Sequence, residues 1–177
     1  MRQYFLPMIG VISSTIISCQ QMPTKPPTEV TAVVDQLMAI EASKTVGLNQ
    51  IEYTKSITSL QLAIDKYKDT DYAKQKADLT TEFDSVLFDH RVTLAAWQEC
   101  KADDRLGVLS GKGYCWEKNT ASFLIIFSKY PDIKNDASLR EKDGINEGYF
   151  YSGEGIVRKM WQKSSEDLVK IKQKLKT

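Results

Sequence analysis

The sequence predicts an all-α fold: an antiparallel bundle of about four helices with one disulfide-pinned loop. Three observations lead there. Apolar residues recur at steps of three and four over long stretches, the spacing that lines one face of a helix. No stretch alternates apolar and polar residues in the manner of a half-buried strand. The chain has 177 residues, 42% of them hydrophobic and 27% charged, enough for one domain with a real core and too few for two comfortable ones.

The first helix is expected over about residues 29–67. Val30, Val33, Leu37 and Ile40 set its stripe, and Tyr53, Ile57, Leu60, Ile64 and Tyr67 continue it. Gly47 lies inside this span and weakens a helix interior, so it is the place for a bend. The turn KDTDYA follows, with Thr70 or Asp71 as N-cap. A second long helix, about 71–101, carries Tyr72, Leu79, Phe83, Val86, His90, Leu94 and Trp97 on one face. The short connection makes the two antiparallel neighbours.

Gly107, Gly111 and Gly113 mark a loop, and a third helix is expected at about 114–130. Its run FLIIF, residues 123–127, is apolar nearly all round, which places it centrally. Periodicity alone leaves a buried strand open for this run; the context CWEKNTAS and the stop at Pro131 favour helix. The segment DGINEGYFYSGEG, 143–155, sets four glycines around three consecutive aromatics and breaks the helical pattern. A last helix, about 156–175, carries Val157, Trp161, Leu168, Ile171 and Leu175.

The N-terminus speaks to location. Arg2 precedes an apolar stretch from Phe5 to Ile17, the length of a secretory signal core and short of the roughly 20 residues that span a bilayer. Ile16, Ile17 and Ser18 then lead straight into Cys19. This arrangement resembles the lipobox of bacterial lipoproteins, in which a branched apolar residue stands three before the cysteine and a small residue one before it. The resemblance covers residues 1–19 and implies a signal peptide at 1–18 and a diacylglyceryl thioether on Cys19, which becomes the N-terminus, with palmitate-type acylation of its amine. Buried methylenes contribute about 0.8 kcal/mol each, so two or three chains hold the protein on a membrane. Gln20, in place of Asp, implies transfer to the outer membrane, with the domain facing the periplasm. The residues alone also allow a short transmembrane or cleaved secretory segment with an incidental cysteine.

Residues 19–28 form a proline-rich tether, MPTKPPT being its main part, which reaches only about 20 Å. Residues 29–177 form the single helical domain. Loss of residues 1–18 removes Arg2 and leaves basic and acidic residues equal in number, a balance that gives no indication of a nucleic-acid partner. With Cys19 lipidated, Cys100 and Cys115 are left as a pair suited to an oxidising compartment. A disulfide between them contributes about 3 kcal/mol in the chain-entropy model; two reduced buried thiols are the alternative.

No residue set in the sequence forms a recognisable catalytic or metal centre. His90 is the single histidine, so a three-histidine zinc site is excluded by count and a mixed site would consume both cysteines. Cys100 lies ten residues on, about 15 Å along a helix axis, too far for a thiol–imidazole dyad. His90 falls on the apolar stripe and reads as a core histidine with one hydrogen-bond partner. The carboxylates Glu82, Asp84, Asp89, Glu99, Asp103, Asp104, Glu147 and Glu154 read as charged helix surface, because no pair is singled out for acid–base work. Gly153-Glu154-Gly155 lacks the preceding strand and third glycine of a nucleotide fingerprint.

Two features point to partners. Tyr149, Phe150 and Tyr151 cannot all face inward on a glycine-flanked segment, which makes them a candidate partner surface or, alternatively, the cap of a helix junction. Residues 156–177 hold seven Lys and Arg against Glu166 and Asp167; this suits a helix C-terminus, and equally an anionic surface near the tether. The function expected is a membrane-anchored envelope lipoprotein that acts without cofactor as a non-catalytic protein-binding module, such as an assembly accessory, an inhibitor or an immunity-type protein. A peptidoglycan-directed hydrolase and a structural, wall-contacting lipoprotein are the alternatives.

Overall fold

The computed structural model describes residues 26–102, 114–116, 120–142 and 148–176. The lipobox-like segment, Cys19, most of the tether, the glycines of the loop between Cys100 and Cys115, and Asp103, Asp104 and Glu147 lie outside the described residues.

The body is a four-helix bundle. Helix α1 is Thr28–Val46, α2 is Gln50–Lys68, a short α3 is Asp71–Gln75, and α4 is Ala77–Ala102. Strand β1 is Tyr114–Trp116, α5 is Ala121–Lys129, α6 is Pro131–Asn135, β2 is Arg140–Lys142, β3 is Tyr149–Ser152, and α7 is Gly153–Lys174. Cross-helix contacts fix the directions. Lys68 pairs with Asp84, Arg91 donates to Gln61, and Tyr53 meets His90, so α2 and α4 run antiparallel. Lys174 pairs with Glu82 while Trp97 packs on Trp161, so α4 and α7 do too. Ser165 donates to Glu41 and Lys44 to the carbonyl of Trp161, which closes the ring between α1 and α7.

The span expected as one helix over 29–67 is a hairpin of two. Gly47 takes φ +95°, a left-handed conformation open to glycine, and ends α1 as its C-cap. Two residues later Asn49 caps α2 through a capping box: its side chain accepts from the Glu52 amide at 2.9 Å, and Glu52 accepts from the Asn49 amide. Both halves keep the predicted stripe, since Val30, Val33, Leu37, Ile40, Tyr53, Ile57, Leu60, Ile64 and Tyr67 are all buried. The second predicted helix is likewise divided by a break at Lys76, after α3 capped by Thr70.

The largest departure lies in residues 114–152. The expected third helix is replaced by β1 and the shorter α5, and the aromatic segment forms β3, the middle strand of a three-stranded antiparallel sheet in the order β1-β3-β2. Cys115 stands opposite Tyr151, and Arg140 pairs with Tyr151 from the other side. Helix α5 is not central: Phe123, Ile126 and Phe127 are buried, whereas Leu124 is 63% exposed. Glu99 caps α5 by accepting from the backbone and side chain of Ser122, at 3.0 and 2.9 Å. Pro131 does stop α5, and it opens α6 from its first turn.

Two hydrophobic clusters result. One joins α1, α2, α3, α4 and the last turns of α7; the other packs Phe123, Ile126, Phe127, Ile133, Leu139 and Tyr151 against Ile156 and Met160 of α7. The Cys100–Cys115 disulfide ties α4 to β1, with Cα atoms 5.2 Å apart. It sits directly on the start of α7, because a Cβ at Gly153 would lie 2.8 Å from Cys115 Sγ and 2.9 Å from Cys100 Sγ. Among the described residues no helix is long and apolar enough to cross a membrane.

Gly153→Ala is therefore expected to destabilise the domain by about 1–3 kcal/mol, measured by urea unfolding with the disulfide intact. An unchanged midpoint would show that α7 does not start against the sulfurs.

Candidate functional site

The bundle has two distinct ends. The described chain enters α1 at Thr28, and α1 carries it 19 residues to Gly47, a rise of about 28 Å. The Gly47 turn, the Trp97 turn of α4 and the first turns of α7 share the far end.

An aromatic knot holds that end together. Tyr53 of α2 stacks edge-on against His90 and Trp161 and tilts onto Trp97, with ring centroids 5.8, 5.7 and 6.2 Å away. Trp97 and Trp161 meet edge to face at 5.9 Å. Such pairs add to the apolar area they bury. Tyr53 Oη lies 2.8 Å from His90 Nδ1, so the one buried histidine has the one partner expected. His90 is 1% exposed. Burial, with the Lys44 charge second, depresses its pKa to about 3, and burial pushes the Tyr53 hydroxyl up. A neutral, enclosed imidazole suits a packed core and leaves no route for proton transfer to a ligand.

Outside the knot a cleft of about 500 Å³ opens between the Gly47 turn, α4 and α7. Trp97 and Trp161 form its indole walls, and the buried Leu48 and Val157 also line it. Lys44 comes from the last turn of α1; its ammonium is paired with Glu41 and stands 6.0 Å from the Trp161 ring centre. Burial lowers the Lys44 pKa against the opposing pull of Glu41. Arg158 and Glu154, joined at 2.5 Å, complete the lining from α7. Val46 and Ile51 flank the same turn and are 86% and 70% exposed. The volume and the mixture of apolar walls with a few charged groups are those of a small-ligand or side-chain pocket.

The residues singled out from the sequence are placed elsewhere. Tyr151 is fully buried, with ring contacts to Phe123 and Phe127. Tyr149 and Phe150 are half-buried, and Arg140 covers the Tyr149 ring at 4.6 Å. Tyr151 thus belongs to the core, while Tyr149 and Phe150 are partly covered.

Among the described residues, the candidate carboxylates are engaged structurally. Asp89 is enclosed and accepts from Lys129 and from Tyr130 Oη, both at 2.7 Å, which locks α5 and α6 to α4. Burial, then the Asp89 carboxylate, raises the Tyr130 pKa. Glu82 and Asp84 pair with Lys174 and Lys68.

The basic last helix is also largely matched. Arg158, Lys159, Lys163, Lys170 and Lys174 reach Glu154, Asp136, Asp132, Asp167 and Glu82. Asp136, Asp132 and Glu82, from neighbouring elements, offset part of its local excess of charge. Among the described residues no group of three or more His, Cys, Asp or Glu is placed to hold a metal ion.

Sequence reasoning missed the cleft. Trp97 and Trp161 sat correctly on their stripes, but only the packing of α7 against α4 brings them together. Val46 and Ile51 carried a signal, as apolar residues off the stripe on both sides of a glycine. In comparisons with known proteins the chain matches no family model, no curated protein and no solved structure.

The depressed His90 pKa fixes a sign. The unfolded chain takes up the proton near pH 6.5 and the folded one only near 3, so this contribution to stability is complete above pH 6.5 and is lost as pH falls below it. Urea unfolding at pH 7 and 4.5 is expected to differ by about 2 kcal/mol. His90→Gln, which keeps a polar partner for Tyr53, is expected to flatten the difference; an equal slope in the variant would contradict the assignment.

Proposed function

We propose that this protein is a lipid-anchored envelope lipoprotein whose bundle is a non-catalytic protein-binding module, working through the end opposite its tether. The observation that carries the reading is the coincidence, at that end, of the tryptophan-walled cleft with the exposed Val46 and Ile51. Large apolar side chains exposed beside a pocket are the features that anchor protein interfaces. The lipobox-like residues supply the anchor, through Cys19, and Gln20 directs it to the outer membrane. A tether reaching about 20 Å keeps the Thr28 end close to the bilayer and turns the Gly47 end into the periplasm. Among the described residues, Glu82, Asp84, Asp89, Glu99 and His90 are taken up by structural contacts, which favours binding over hydrolysis.

In-cell crosslinking and capture of the full chain, followed by mass spectrometry, tests this. One stoichiometric envelope protein is expected, lost when Val46→Asp and Ile51→Asp are combined at unchanged chain level. Cys19→Ser is expected to leave the precursor uncleaved and to change its membrane fractionation. Recovery of wall fragments alone, or capture indifferent to the two aspartates, would contradict the proposal.

A further inference from the structure

The disulfide is the outermost rung of the packing that shapes the cleft. Trp97 and Cys100 stand one turn apart on α4, and Gly153, Val157 and Trp161 recur at steps of four on α7. Each set therefore lines one face of its helix. The two faces meet at both ends. Trp97 packs on Trp161, and both sulfurs lie against Gly153, where a Cβ would stand 2.8 and 2.9 Å from them. Trp97, Val157 and Trp161 are also walls of the cleft.

The two sulfurs belong to different pieces of the fold. Cys100 is on α4, whereas Cys115 is on β1, which pairs with β3 so that Cys115 stands opposite Tyr151. Strand β3 ends at Ser152 and α7 starts at Gly153, so the sheet and the first turn of α7 move as one piece. Bonded sulfurs sit about 2.05 Å apart, whereas two thiols need the spacing of non-bonded heavy atoms, about 3.5 Å or more. Gly153 already occupies one side of the pair, and Cys115 is fully enclosed. The added separation must open between α4 and the piece formed by the sheet and the start of α7.

We propose that the Cys100–Cys115 disulfide is a redox latch for the cleft. The oxidised pair holds the start of α7 against α4, and reduction by a dithiol releases it and opens the cleft along the Trp97–Val157 side. One thiolate of the dithiol attacks Cys100, the half-buried partner, and Cys115 leaves as a thiolate that takes up a proton. The second thiol of the reductant then displaces Cys100, so two electrons and two protons pass to the protein and the reductant becomes a disulfide. That the latch governs partner binding rests on the reading of the far end as a protein-binding surface.

Amide hydrogen exchange on the purified full chain in detergent tests the latch itself, before and after dithiothreitol treatment without denaturant. Amides of residues 153–161 and 97–102 are expected to exchange about ten-fold faster in the reduced chain. Helices α1 and α2 are expected to keep their protection, and reoxidation to restore the slow exchange. Combining Cys100→Ala with Cys115→Ala removes the bond and the crowding sulfurs together, so its exchange is expected to fall between those of the two parent forms.

A bond that yields to dithiothreitol only in urea would overturn the proposal. So would unchanged exchange on reduction, a rise spread evenly over all the helices, or a double-alanine chain that exchanges as fast as the reduced parent. Exchange needs no partner, so a latch that opens while no partner is ever captured would count against the binding reading alone.

Discussion

Tyr53 makes the contact on which the four long helices converge. Its ring touches His90 and Trp97 of α4 and Trp161 of α7, and Lys44 of α1 closes the set over Trp161. Its hydroxyl is paired with the imidazole inside a dry core. There, losing either partner would leave a buried polar atom unsatisfied, which is costly out of proportion to the bond itself. The same packing has an outer side. Trp97 and Trp161, fixed from within by Tyr53, are the walls of the cleft, so the interior of the bundle sets the shape of its far end.

A second constraint fixes the upper part of the molecule. The disulfide joins the end of α4 to the sheet and rests on Gly153. The start of α7 is thereby placed against α4, and Glu154, Val157 and Arg158 follow in its first turns. Asp89 performs the equivalent task for α5 and α6 through Lys129 and Tyr130. Several polar groups hold elements together, among them Lys159, Lys163 and Lys174 of the last helix, which pair with Asp136, Asp132 and Glu82.

The bundle was legible in the sequence because three- and four-residue spacing survives wherever one helix face is buried. It identified the buried stripes of α1, α2 and α4, and the pairing of Cys100 with Cys115. Gly47 was visible too, yet periodicity cannot distinguish a bend from a reversal, since both halves keep the same stripe. The Asn49 capping box was the local sign of a fresh start. The sheet was hidden for a different reason. Strands of three and four residues are too short to alternate, and β3 is an aromatic run whose register is set by partners far off in the chain. FLIIF misled because a run apolar on every side need not be enclosed on every side. The cleft was not legible at all, since its walls stand 64 residues apart in the sequence and meet only through tertiary packing.

The most direct test of this account is amide hydrogen exchange on the Tyr53→Phe variant, compared with the parent chain. If Tyr53 ties the four helices at the far end, loss of its hydroxyl should raise exchange together at the Gly47 turn, in α4 around Trp97 and in the first turns of α7. Faster exchange confined to α2 around position 53 would contradict it, and would show that the cleft walls are held independently of the knot.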